Sequence, residues 1–314
     1  MKCIGTLIYG SKSHLVRKLV DKLSIQNRTA ARAPNISILC PTRERPKQVI
    51  RLIESLLKNA REPEKLEILF YIDNDDETFP NLARFGDTVK VFRGPRTWIS
   101  NAHNFLYTYS QGEIIMTAAD DMVFRTKGWD SAVYAAFDSV PDKIVLVYGN
   151  DLGTHAGKIA THGFFHRKWV EALGTWVQPG RGSLWDLWST ENARILGRLM
   201  YLDDLIIEHV HYRQSKVDVE FDNTYSFVRS MNSSFRPEVT YKKLKRERRI
   251  DRILLGEKME SEPKVELNYS IGRFVCRYMS KNSNLEQKRR IQSVTNIGLI
   301  GLALRFLWIK VKSK

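Results

Sequence analysis

The chain is predicted to be an α/β protein with a mostly parallel sheet flanked by helices, and three observations predict it. Short apolar runs alternate with segments whose apolar residues recur every three or four positions, the rhythm of strands feeding crossover helices. Three of the runs stop at polar tips: Pro41-Thr42-Arg43, Asp73 and Asp120-Asp121. A hydrophobic share of 43% and an aromatic share of 11% suit a chain that folds around a core and exclude a disordered one.

The elements follow in order. An amphipathic helix is predicted around His14–Leu23, and Asn27–Pro34 reads as a linker. Ile36–Cys40 is a strand, and a helix begins near Lys47, with Val49, Ile50, Ile53, Leu56 and Leu57 at helical spacing. Leu66–Ile72 and Val89–Phe92 are the next strands, and Asn101–Ser110 is a helix leading into the strand before Asp120. Such open sheets gather ligands at the carboxyl ends of their strands, which makes the three polar tips the expected active site. Domain limits are set at 1–34 for a basic extension, 35–234 for the main domain, and 235–314 for a basic, mainly helical appendage.

Charge supports that division. The net charge of +15 is carried by the flanks: residues 1–34 hold 7 Lys/Arg against 1 Asp/Glu, and residues 235–314 hold 20 against 8. The middle holds 23 against 26 and is slightly acidic. Basic appendages on an acidic module suit DNA or an anionic membrane surface, while the apolar stretch Ile297–Ile309 also suits a core-covering helix or a homo-oligomer contact. Lys242–Arg252 reads most simply as a solvated helix face. Cys3, Cys40 and Cys276 follow no disulfide or metal spacing, so a reduced cytoplasmic setting is expected. Ile4–Tyr9 is too brief for a secretory core, and no run reaches the ~20 apolar residues of a membrane span.

Two adjacent carboxylates closing a buried strand call for a positive partner, and a hard divalent cation, Mn2+ or Mg2+, is the expected one. A plainer alternative is a double Asp that caps a turn. The ordered set Ile36-Ser-Ile-Leu-Cys-Pro-Thr-Arg43, Tyr71-Ile-Asp-Asn-Asp-Asp76 and Gly112-Glu-Ile-Ile-Met-Thr-Ala-Ala-Asp-Asp121 resembles the GT-A glycosyltransferases of the family 2 type over roughly residues 35–225. The resemblance implies a GT-A, Rossmann-like fold and transfer of a sugar from a nucleotide-diphosphate sugar, with a UDP-sugar expected. It places Pro41, Thr42 and Arg43 beside the nucleoside, Asp73 at the base, Arg96 near the diphosphate and Asn104 along the donor-facing helix. Asn104 reads equally well as a helix-packing amide. The family's acidic motif is incomplete here, since Ala118 stands where its first carboxylate falls, so the division of metal binding between Asp120 and Asp121 stays open.

Glycosyl transfer also needs a base for the acceptor hydroxyl. Inverting members of the family carry an Asp in the region of Gly182–Glu191, which nominates Asp186 and an inverting outcome, with Glu191 as the fallback. Trp185 and Trp188 suit stacking on a sugar, and a helix cap in a Trp-rich core is the plainer reading of Asp186. His209 and His211, on one face of a predicted strand about 90 residues past the carboxylates, are candidate further metal ligands. His155, His162 and His166 fall in an expected acceptor-side loop and strand without assigned roles. The acceptor is expected to be modified DNA, a glycan or lipid, or a protein, and the DNA option fits a virus-encoded enzyme. The competing readings are a nucleotidyltransferase using the same carboxylates and a non-catalytic nucleic-acid-binding protein. The acidic main domain disfavours the latter.

Overall fold

The computed structural model describes residues 35–153, 155–174, 176, 184–211, 221–235 and 237–260. The expectations for the N-terminal helix, the linker and Ile297–Ile309 lie outside these residues.

β1 (Ile36–Thr42), β2 (Leu66–Asp73), β3 (Val89–Gly94) and β4 (Ile114–Thr117) form a parallel block, with β1 paired to β2 on one side and β4 on the other. The residues of β1, β2 and β4 are mostly apolar and buried on both faces, as parallel strands covered by helices must be, while the edge strand β3 carries Lys90 and Arg93 and stays partly exposed. Ile36, Ile38 and Cys40 of β1 point into one core and Leu39 into the other.

The sheet then changes hand. β5 (Met122–Phe124), β6 (Leu146–Asn150), β7 (Phe164–His166) and β8 (Leu199–His209) complete eight strands in the order β3-β2-β1-β4-β7-β6-β8-β5. β7 runs antiparallel to β4 and β6, β8 runs parallel to β6, and β5 runs antiparallel to β8. The sheet is therefore mostly parallel, as expected, with two reversed strands that local patterning did not reveal. Both are three residues long, too short for a periodic signal.

α1 (Pro46–Asn59) starts on a proline, which loses no hydrogen bond at that position, and buries Val49, Leu52, Ile53 and Leu56. It covers one face of the sheet together with α3 (Trp129–Asp138). α2 (Ile99–Tyr109), α4 (Arg167–Leu173), α5 (Trp185–Ile195) and α8 (Lys245–Gly256) supply the other core, and α6 (Asn223–Phe235) and α7 (Pro237–Lys243) precede α8. The region expected as an appendage from residue 235 thus contributes a fully buried Leu255 to the main core. Among the described residues no helix is long and apolar enough to cross a membrane.

Trp129 is wholly buried and donates its Nε1–H to the carbonyl of Leu56 at 3.1 Å, joining α3 to α1. Trp129→Ala is expected to lower the unfolding free energy by roughly 3–5 kcal/mol, read by chemical denaturation, because it opens a large cavity; the Leu56 carbonyl keeps the Ala60 N–H as a donor.

Candidate active site

The site is organised by the turn that follows β1. Thr42 ends the strand, Glu44 takes a left-handed φ of 55°, and α1 begins at Pro46. A non-glycine residue in that region is strained by about 1 kcal/mol or more and needs outside support. Here the Glu44 N–H donates to the Asp76 carboxylate at 2.8 Å. The turn sends Arg43 and Arg45 to different partners. Arg43 donates to Asp73 at 3.0 Å and to Asp75 at 2.5 and 3.1 Å. Arg45, nearly buried, donates to Asp120 at 2.8 Å and grips Asp222 with two bonds of 2.8 and 3.0 Å. Because β2 and β4 flank β1, their acidic tips stand on either side of one basic turn.

Asp120 and Asp121 lie in the turn between β4 and β5, each with a side chain 5% exposed. Asp120 also accepts from the Thr42 hydroxyl at 2.6 Å. Burial and the neighbouring Asp121 charge push Asp120 above the ordinary carboxylate range, with Arg45 and Thr42 opposing. For Asp121 burial works the same way, but His209, Arg45 and Tyr225 outweigh it and hold the carboxyl well below that range. His209 Nε2 lies 3.1 Å from Asp121 Oδ1, and the Tyr225 hydroxyl donates to Oδ2 at 2.8 Å. The pairing of β5 with β8 makes this meeting possible: Met122 is registered opposite His209, and the Val210 N–H donates to the Asp121 carbonyl at 2.8 Å.

The two histidines of the sequence motif stay together although β8 stops at His209. The His211 N–H turns back onto the His209 carbonyl, and the rings lie 5.2 Å apart, with His211 4.7 Å from the Tyr225 ring. Burial opposes protonation of His209, yet the Asp121 carboxylate raises its pKa. His162 stands edge-on to it at 4.8 Å, and burial, with the His209 charge, drives His162 down to about 3. It is therefore a neutral imidazole at physiological pH.

Asp186 falls in the first turn of α5, but the cap position is Leu184, so the capping alternative does not hold. Its Oδ1 accepts from the Leu187 N–H at 2.8 Å. Burial pushes its pKa up to about 7 despite that bond and the positive influence of His209. A carboxyl poised near neutrality has the basicity a proton acceptor needs.

Other expected residues are engaged differently. Arg96 lies 3.8 Å from Asp73 and 3.7 Å over the Phe227 ring. Asn104 accepts from the Trp176 N–H at 3.2 Å, which is the packing alternative. Pro41 sits in β1, registered against Tyr71. Glu191 is bonded to Arg248 at 2.9 Å and to the Tyr241 hydroxyl, so the fallback base is tied up in holding α5 to the C-terminal helices. Trp188 donates to Asp251 at 2.6 Å and is 7% exposed, which removes it as a sugar platform; Trp185 stays half-buried beside His103.

Sequence reasoning missed Arg45, His162, Asp222 and Tyr225. Arg45 had a signal, as the second arginine of Thr-Arg-Glu-Arg-Pro. Tyr225 and Asp222, roughly 100 residues from the carboxylates, had none.

A model of the family described as glycosyl transferase family 2 matches residues 37–170. No curated protein matches this chain. Among solved structures, the mannosyltransferase PcManGT from Pyrobaculum calidifontis, in complex with GDP-Man and Mn2+, is 12% identical, with 92% of this chain and 88% of that one covered at a TM-score of 0.48. S. aureus TarS 1-349 in complex with UDP-GlcNAc is 14% identical, with 84% and 92% covered at 0.46. GalNAc-T7 with UDP, GalNAc and Mn2+ is 14% identical, with 71% and 54% covered at 0.46.

Proposed function

Given that residues 37–170 match the model of glycosyl transferase family 2, we propose that the protein transfers a sugar from a nucleotide-diphosphate sugar to an acceptor hydroxyl with inversion at the anomeric carbon. The observation that carries this reading is the single cluster in which Arg43, Arg45, Asp73, Asp120, Asp121 and His209 surround the carboxyl ends of β1, β2 and β4.

Each group has a chemical task. Asp73, oriented by Arg43, accepts hydrogen bonds from the nucleobase. Arg43, Arg45 and Arg96 lie where a diphosphate would bring negative charge. Asp186 takes the proton from the acceptor hydroxyl as the carbon–oxygen bond forms, and the bond from the sugar to the β-phosphate oxygen breaks on the opposite side. Half-buried Trp185 offers an aromatic face for the acceptor.

The donor set of Asp120, Asp121 and His209 fits Mn2+ or Mg2+. Its oxygens suit a hard cation, and the buried His209 Nδ1 has no hydrogen-bond partner. Among the described residues no three His, Cys, Asp or Glu side chains already form a cage, so the fit calls for Asp121 and His209 to open their mutual contact. When bound, the ion supplies neutralisation of the departing diphosphate.

The test is a screen of nucleotide sugars for hydrolysis with manganese present, followed by acceptor trials on modified DNA, lipid-linked glycans and proteins. Release of nucleoside diphosphate is the expected product. Pyrophosphate release would instead assign the site to nucleotidyl transfer.

A further inference from the structure

α8 presents two chemically different sides. The inner side is buried and its polar groups are committed: Arg248 to Glu191, Asp251 to Trp188, and Arg252 to Asn192 at 2.9 Å. The outer side carries Lys245, Arg246 and Arg249, all exposed, with Ile250 and Ile253 at 44% and 49% exposure between them. At about 100° per residue, Arg249, Ile253, Arg246 and Ile250 succeed one another around a single stripe. None of the three cations forms an ion pair among the described residues. Two acids are exposed on this helix: Glu247, which at that spacing falls about 60° outside the stripe beyond Ile250, and Glu257, one turn beyond Ile253.

We propose that this stripe docks on an anionic lipid surface, with α8 lying along the membrane plane. Single exposed apolar residues are ordinary, but two on neighbouring turns set among unpaired cations match what a headgroup layer rewards: charge outside, apolar atoms just beneath. Charge complementarity alone would equally suit a nucleic acid. The isoleucines separate the two, because a phosphate backbone gives a β-branched alkyl group nothing to enter, whereas the headgroup boundary does. The same chemistry recurs downstream, where Ile297–Ile309 is apolar apart from Arg305 and is followed by Lys310, Lys312 and Lys314. Since the inner side of α8 is bonded to α5, docking would fix the helix carrying Asp186 relative to the bilayer; that consequence rests on the proposed function, and the docking itself does not.

The full chain is to be sedimented with vesicles of phosphatidylcholine alone and of phosphatidylcholine mixed with phosphatidylglycerol. Binding is expected only to the mixed vesicles and is expected to weaken with salt. Arg246→Glu with Arg249→Glu should reduce partitioning by about fivefold or more for each cation removed. Ile250→Ser with Ile253→Ser should reduce it as well, at unchanged charge. Thermal melting of both variants, expected to match the parent because the positions are exposed, keeps the readout independent of transferase activity. Partitioning unchanged in either variant overturns the proposal. So does duplex DNA binding that needs the arginines, ignores the isoleucines and occurs without any vesicle binding.

Discussion

Replacing Asp121 by Asn is expected to cut both donor hydrolysis and sugar transfer by about a thousandfold while the protein stays folded. Asparagine keeps the shape and an acceptor for the Tyr225 hydroxyl, but it removes the negative charge that faces His209 and Arg45. A second consequence can be read without substrate. The His209 pKa lies above its ordinary value because the Asp121 carboxylate outweighs burial. In the variant only burial and the more remote carboxylates remain, so the imidazole should titrate lower than in the parent, as NMR would record. Undiminished hydrolysis would remove this carboxylate from the chemistry; an unmoved imidazole would mean that the pair does not form in solution.

The second large effect is at Asp186. Asp186→Asn should lower kcat by roughly 10²–10⁴-fold, the usual range for loss of a general base, with little change in donor KM. In the parent, activity should rise as pH climbs through about 7, where burial places this carboxyl, and the variant should lose that limb. Stability runs in the other direction. An acid whose folded-state pKa lies above its ordinary value favours the fold most when protonated, and that contribution fades as pH rises from the ordinary carboxylate range to about 7. Above neutrality the Asn variant should therefore be the more stable, by roughly 1–3 kcal/mol, and the advantage should vanish in acid. A variant that is inactive and also less stable at alkaline pH would mark Asp186 as a packing residue.

Local chemistry explains which parts of this molecule could be read beforehand. β1, β2 and β4 are apolar runs with abrupt polar ends, and α1 repeats its apolar residues at helical spacing, so one segment sufficed to recognise each. Their acidic tips followed, and so did the presence of His209 near them, because carboxylates and imidazoles attract one another wherever they are brought together. β5 and β7 escaped because three residues carry no period, and the pairing of β5 with β8 joins segments roughly 80 residues apart. Tyr225 reaches Asp121, and Asp222 reaches Arg45, through tertiary packing that no spacing encodes. Trp188 and Glu191 misled for a related reason. A tryptophan and a carboxylate near a nominated base look like substrate contacts until Tyr241 of α7 and Arg248 and Asp251 of α8 arrive some 50 to 60 residues later.

That late arrival has a practical meaning for protein engineering. Residues 185–195 and 241–255 behave as a single cassette, because each supplies the buried counterparts of the other's polar groups. A chimaera that imports only the first would lose the Arg248–Glu191 and Trp188–Asp251 contacts across the seam, whereas exchanging both segments together carries the complementary contacts intact.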